Sequence, residues 1–181
     1  YMLKHQDEFA KKYTAETVSS KIATVYDQSF RKVASLKDKA ALDALSKEVR
    51  QNMAGDADKI VWRGEILFHK ANQDWTAYAG IAYQFVDKYG MENPSTLNEY
   101  AWAFYEHGDA AMLEKAARWA KRSVELDDKY YNNDTYAAVL YKLGKKAEAK
   151  KVAEHAIELG KKDGSDVKET EELLKKIDLL K

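Results

Sequence analysis

The chain has no cysteine, so thiolate catalysis, disulfides and cysteine-ligated metals are excluded, and histidines and carboxylates are what remain for chemistry. The four histidines, His5, His69, His107 and His155, are scattered. None forms a His-x-x-x-His pair or the Glu-x-x-His arrangement of helical carboxylate metal sites. Carboxylates are adjacent at Asp7-Glu8, Asp127-Asp128 and Glu171-Glu172, all at expected helix ends or polar faces. A glycosidase would need two carboxylates facing each other across a cleft, with one pKa raised, and nothing singles out such a pair. His107 beside Glu106 and Asp109 reads as a solvated turn histidine. Neither a glycine-rich phosphate loop nor a Gly-x-Ser-x-Gly elbow occurs. The pairs Lys145-Lys146, Lys150-Lys151 and Lys161-Lys162 make a basic edge, but Glu148, Glu154 and Glu158 are interleaved at helical spacing. That pattern predicts ion pairs within one helix rather than a phosphate track. The residues therefore point to a protein that is not an enzyme and needs neither metal nor cofactor.

Aromatic residues carry the stronger signal. Tyr and Trp together number sixteen. Trp102 and Tyr105 stand three apart and so share a helical face with Asn98 one turn earlier. Rigid aromatic rings beside polar groups suit the binding of a peptide or a partner helix. The competing reading is that they fill the space between neighbouring helices.

The elements that must position these residues are helices. Apolar residues make up 45% of 181, so a core can be buried, while a single proline and eight glycines with no long Val/Ile-rich runs count against an all-β sandwich or barrel. Thirty basic and thirty acidic residues cancel, which removes the charge argument for nucleic acid. No apolar run approaches the length of a membrane-spanning helix, so no membrane insertion is expected. Ile22, Val25, Tyr26 and Phe30 form one helical stripe, and Ala41, Leu42, Leu45 and Val49 another. A small polar stretch, Ala54 to Asp58, precedes the run Ile60 to Ala71. Asp74 is an expected N-cap, and Gly90 an expected C-terminal glycine cap. Asn93-Pro94 opens a helix with a cap and a first-turn proline, and Thr96 with Glu99 offers a capping box. Helices follow over Ala111 to Leu126, Tyr131 to Leu143, Ala147 to Leu159 with Gly160 as terminator, and Val167 to Leu180. Gly64 and Gly80 inside helices are expected to mark tight helix contacts.

Self-comparison shows an internal repeat. Tyr100-Ala101, Tyr105 and Gly108 recur as Tyr136-Ala137, Tyr141 and Gly144 at an offset of 36. Ala116, Ala120, Val124, Glu125 and Leu126 recur as Ala149, Ala153, Ile157, Glu158 and Leu159 at an offset of 33, which predicts a longer turn around Ala110 to Met112 in the first copy. A period in the mid-thirties with a glycine between two helices is the mark of a stacked helical hairpin.

These residues resemble the tetratricopeptide repeat. One copy carries Leu97, Tyr100-Ala101, Phe104, Gly108, Ala116 and Ser123, and the next Tyr136-Ala137, Leu140, Gly144, Ala149 and Ala156. Asn133 departs from the large apolar residue usual at its place, and Asp128 and Lys161 stand where a closing proline is common. Trp62 to Phe85 is similar to a degenerate third copy. The resemblance implies an all-α, right-handed solenoid of helical hairpins over 1–181 as a single domain. Its parts would be irregular helices over 1–55, a degenerate repeat over 56–90, repeats over 96–127 and 130–160, and a capping helix over 166–180. In such an array the first helices of the hairpins line the concave surface, so Arg63, Asn98, Trp102, Tyr105, Asp134, Ala138 and Tyr141 are the implied groove residues, for a protein or peptide partner. Leu67, Trp102 and Ala138 occupy the places where chaperone-binding members clamp a carboxylate, which argues against that clamp.

A narrower likeness joins Asn98-Glu99-Tyr100-Ala101-Trp102, Asp134-Thr135-Tyr136-Ala137 and Leu140-Tyr141-Lys142-Leu143-Gly144 to helical-repeat regions that follow a thioredoxin-like domain in some bacterial envelope proteins. It implies a periplasmic or envelope setting, with Tyr1 to Tyr13 as the tail of a preceding domain. The alternative function is then a structural accessory that packs against or dimerises that domain. With no Cys-x-x-Cys, no redox activity carries over.

Overall fold

The computed structural model describes residues 5–53, 55 and 57–180. Tyr1 to Lys4 of the expected tail, and Ala54 and Asp56 of the expected polar stretch, lie outside them. Among the described residues there are ten α-helices, one π-helical turn and no strand. The chain divides into two compact units, Tyr1–Phe85 and Val86–Lys181.

The first unit holds α1 (Gln6–Lys12), α2 (Ala15–Leu36), α3 (Lys39–Asn52), α4 (Ala57–Ala71) and α5 (Trp75–Phe85). Helix α4 packs on α2, α3 and α5, and α1 lies on α2. The core is built from Val18, Ile22, Tyr26, Phe30 and Ala34 of α2, Leu42 and Val49 of α3, and Ile60, Val61 and Phe68 of α4. Tyr26 is buried, yet its hydroxyl reaches polar partners, donating to Glu48 Oε1 (3.2 Å) and accepting from Asn52 Nδ2 (3.3 Å). Val25 does not join the stripe expected for it and is 60% exposed. It adjoins Tyr26 in sequence and so sits about 100° round the helix from it. The spacing that includes Val18 and Ala34 is the one that is buried.

Helix boundaries follow local capping. Thr14 accepts from Thr17 N (3.2 Å), Asp38 from Ala41 N (2.9 Å) and Asp74 from Ala77 N (3.2 Å). The chain leaves α2 through Lys37 in the left-handed region.

The second unit begins with the π-helical turn Val86–Gly90 and continues with α6 (Pro94–His107), α7 (Ala110–Leu126), α8 (Tyr130–Lys142), α9 (Lys146–Asp163) and α10 (Lys168–Asp178). Helix α6 pairs with α7 and α8 with α9, while α8 also packs on α6 and α7, and α10 on α9 and α8. Each element thus meets its chain neighbours and the next pair, the packing of a helical repeat. Ala101, Ala116, Ala120, Ala137, Ala149, Ala153 and Ala156 are fully buried, as are Phe104, Trp119 and Leu140. Small side chains let the helix axes approach, and the large ones fill the remaining space. Ser123, where an alanine is usual in the repeat, is equally buried and donates to Pro94 O (2.8 Å).

Several sequence expectations are corrected here. Asn93 caps α6 as expected, accepting from Thr96 N at 2.9 Å, so Thr96 lies inside the helix and does not open a capping box with Glu99. Ala110 to Met112 are the first turn of α7, not a longer connection, because Asp109 accepts from Met112 N (2.9 Å) and starts the helix there. Gly160 does not terminate α9, which runs on to Asp163 and ends at Gly164, whose φ of 82° is the left-handed cap. A Cβ at Gly160 would stand 2.4 Å from Val167 Cγ1 and 3.0 Å from Tyr130 Cδ2, so this glycine serves close packing. Gly90 closes the π-helical turn without a left-handed φ. The lysine pairs also behave differently from expectation. Lys145 pairs with Glu114 (3.5 Å), Lys150 with Asp178 (2.7 Å) and Lys161 with Glu171 (2.8 Å), so the bridges link helices instead of running within α9.

The two glycines expected at tight contacts separate. A Cβ on Gly64 would lie 2.2 Å from Cδ1 of the buried Phe30 ring, whereas nothing lies within 4 Å of one on Gly80. Gly64→Ala should therefore destabilise the protein by about 1–3 kcal/mol through overpacking. Gly80→Ala should stabilise it by about 0.5–1 kcal/mol through helix propensity. Denaturant titration followed by helical circular dichroism measures both, and the opposite signs are the expected result.

Candidate functional site

The N-cap at Asn93 and the proline after it fix where α6 starts, and hence which way each of its side chains turns. Leu97, Ala101 and Phe104 face the core. Trp102 and Tyr105 lie on the adjoining face, and Trp102 is 37% exposed. Their rings are 5.0 Å apart between centroids and tilted by 42°. In α8, Ala137 and Leu140 are buried, and Asp134, Ala138 and Tyr141 hold the positions equivalent to Asn98, Trp102 and Tyr105.

Trp102, Tyr105, Asp134 and Ala138 line one cleft of about 300 Å³. Its further wall is α10, through Glu169, Glu172, Leu173 and Lys176. Asn98 and Tyr141 are half-buried beside it and do not line it. The Asn98 Oδ1 is buried without a hydrogen-bond partner. Arg63 belongs to the first unit, where it pairs with Asp27 (3.2 Å) and borders a cleft of about 490 Å³ with Ser19, Ala23 and Ile60.

Helix α10 is held against α8 by a chain of hydroxyls. Thr170 is fully buried and donates through Oγ1 to Asp134 Oδ1 (2.6 Å). The Tyr130 hydroxyl donates to the Asp166 carbonyl (3.1 Å) and lies 2.9 Å from the same Oγ1. Burial pushes the Asp134 carboxyl above its ordinary range; the Thr170 hydrogen bond works the other way, and the nearby Glu169 adds to the rise. Burial likewise raises the Tyr105 hydroxyl, with Tyr141, Asp134 and Glu106 adding to it. Lys142 donates to the Tyr105 carbonyl, and its ammonium sits 5.2 Å from the centre of the Tyr105 ring.

The departure at Asn133 has a structural explanation. Its buried amide donates to Asp128 Oδ1 (2.7 Å) and Lys129 O (3.0 Å), and Asp128 also holds His155 Nε2 (3.0 Å). Those hydrogen bonds keep the Asp128 carboxyl below its ordinary range.

Glu169, Glu172, Leu173 and Lys176 were missing from the groove residues read from the sequence. Their spacing of three and four places them on one face of α10 and was the available signal, but it does not say which helix that face meets. Among the described residues no group of His, Cys, Asp or Glu is placed to hold a metal ion, nor is any helix long and apolar enough to cross a membrane. Comparison with family models, with curated proteins and with solved structures gives no match. The repeat likeness accordingly stands on residues and packing.

Asp134 also supplies a pH test. A carboxyl whose folded pKa is raised makes the protein less stable as pH climbs from the unfolded value through the folded one. Asparagine keeps an acceptor for Thr170 without the charge. Asp134→Asn should therefore raise the midpoint of unfolding at pH 7, and the gain should shrink as pH falls from the raised folded value toward the ordinary carboxyl value of about 3.9. Denaturation midpoints across pH 3.5–7 ~ in half-unit steps measure it.

Proposed function

We propose that the chain is a tetratricopeptide-like scaffold, a right-handed stack of helical hairpins that binds a protein or peptide without catalysing a reaction. The observation that carries this reading is the cleft in which Trp102, Tyr105, Asp134 and Ala138, from equivalent faces of α6 and α8, come together. Core side chains do not need such an opening. Trp102 lines it and is partly exposed, while Phe104 and Trp119, 4.8 Å apart between centroids, fill the interior of the hairpin.

Binding energy at such a surface resides in a few desolvated aromatic anchors, with polar groups setting orientation. A tryptophan that keeps more than a third of its surface exposed has apolar area left to bury, at about 25 cal/mol per Å². Asp134 fits the second role less well, since its carboxyl already accepts from Thr170. The walls of the cleft belong to packed helices tied by Thr170 and Tyr130, so little ordering would be needed on binding.

Selection of a displayed random-peptide library on the immobilised full chain tests the reading. Selected peptides should compete for one site and lose affinity by about tenfold or more for Trp102→Ala, with a smaller loss for Tyr105→Ala. Both variants should retain the helical circular dichroism of the parent. Peptides indifferent to both substitutions, or variants that unfold, would overturn it.

A further inference from the structure

The carboxylates of α10 divide into two sets. On the side toward α9, Glu171 pairs with Lys161 (2.8 Å) and Asp178 with Lys150 (2.7 Å). On the side toward the cleft, Glu169 and Glu172 make no ion pair among the described residues. The chain has as many basic as acidic residues, so cations are not in short supply. These two carboxylates stand in one cleft with the part-exposed Trp102 ring and with Tyr105.

We propose that the cleft binds a lysine or arginine side chain carried on an extended peptide, between the Trp102 ring and the carboxylates of Glu169 and Glu172. It rests on the partner-binding reading of the same cleft and adds the chemistry of the occupant. Three features support it. A cation is attracted by the face of an indole and by a carboxylate, and the cleft offers both. An anionic or purely apolar occupant would have to lie against two unneutralised carboxylates, which costs affinity. The protein already places a cation on an aromatic ring at the edge of this site, since the Lys142 ammonium covers Tyr105. Burial is the main cause of the rise at Asp134 and at Tyr105, and neighbouring carboxylates add to both. Among the described residues Lys176 is the one cation that lines the cleft, and it opposes the incoming charge.

The test uses the full chain and two short fluorescein-labelled peptides, one alternating lysine and serine and one alternating glutamate and serine, with binding read by anisotropy. The lysine peptide should bind and the glutamate peptide should not. Glu169→Gln with Glu172→Gln should weaken the lysine peptide by about tenfold, an effect that fades with added salt. Lys176→Ala should tighten it by about two- to threefold. Glu154→Gln with Glu158→Gln, which removes equal charge from α9, should change nothing. Failure of the lysine peptide to bind, or equal weakening by the α9 pair, overturns the proposal. Binding of the glutamate peptide that is lost on Trp102→Ala overturns the cationic occupant but leaves the groove reading standing. Lysine-peptide binding that ignores both Trp102→Ala and the α10 pair removes the groove reading as well.

Discussion

The second unit depends on how closely its paired helices approach. Ala116 and Ala120 of α7, and Ala149, Ala153 and Ala156 of α9, are all completely buried, one or two turns apart along the contact. A larger side chain at any of them would have to displace a neighbouring helix, because packed interiors have little free volume. Close approach on one face decides what the opposite faces can do. With Ala101 and Phe104 of α6 turned inward, Trp102 and Tyr105 are rotated by about 100° per residue toward the side on which the cleft opens. The same arithmetic applied to Ala137 and Leu140 sends Asp134 and Ala138 to the same side in α8. Residues 36 apart occupy the same places in α6 and α8, the first helices of successive hairpins, so equivalent residues keep equivalent directions.

A second constraint acts at the end of the array. The last hairpin leaves α8 and α9 with an uncovered edge, and α10 covers it through Val167, Thr170 and Ile177. Thr170 is polar and fully buried, which is tolerated because its hydroxyl finds Asp134 and Tyr130. The glycine at 160 completes the fit by giving Val167 and Tyr130 room against α9. Capping and site-building are therefore one event. The contact that seals the edge also turns Glu169 and Glu172 toward Trp102.

Features set within one or two turns of chain were legible in the sequence. Caps at Asp74 and Asn93 and the turn glycine Gly144 depend on residues a few positions apart, and their letters mark where helices start and stop. The repeat register likewise placed Trp102, Tyr105, Asp134 and Ala138 on a common side. What could not be read depends on partners distant in sequence. Gly160 and Gly164 carry the same letter, yet one makes room for Val167 and the other bends the backbone. Gly80 looks like Gly64 but has no Phe30 opposite it. Lys150 and Lys161 have glutamates at helical spacing and still bridge to α10, because docking brings Asp178 and Glu171 nearer in the right direction. Glu169 and Glu172 read as the solvated face of an amphipathic helix until α8 and α6 are known to lie beside them.

The two aromatic rings of the cleft are unequal, and the reason lies in Lys142. Its ammonium donates to the Tyr105 carbonyl and rests 5.2 Å from the ring centre, so that ring already has a cation on it. A second cation arriving at Tyr105 would meet like charge at short range, in surroundings less screened than bulk water. Trp102 is three residues earlier and bears no such neighbour of its own from α8, where Ala138 stands at the equivalent place. An alanine there removes both a competing charge and the bulk that would close the indole off. Indole also attracts cations more strongly than phenol does. On the proposed reading, then, Tyr105 with its lysine acts as the side wall that orients the site, and Trp102 is the surface on which the occupant rests.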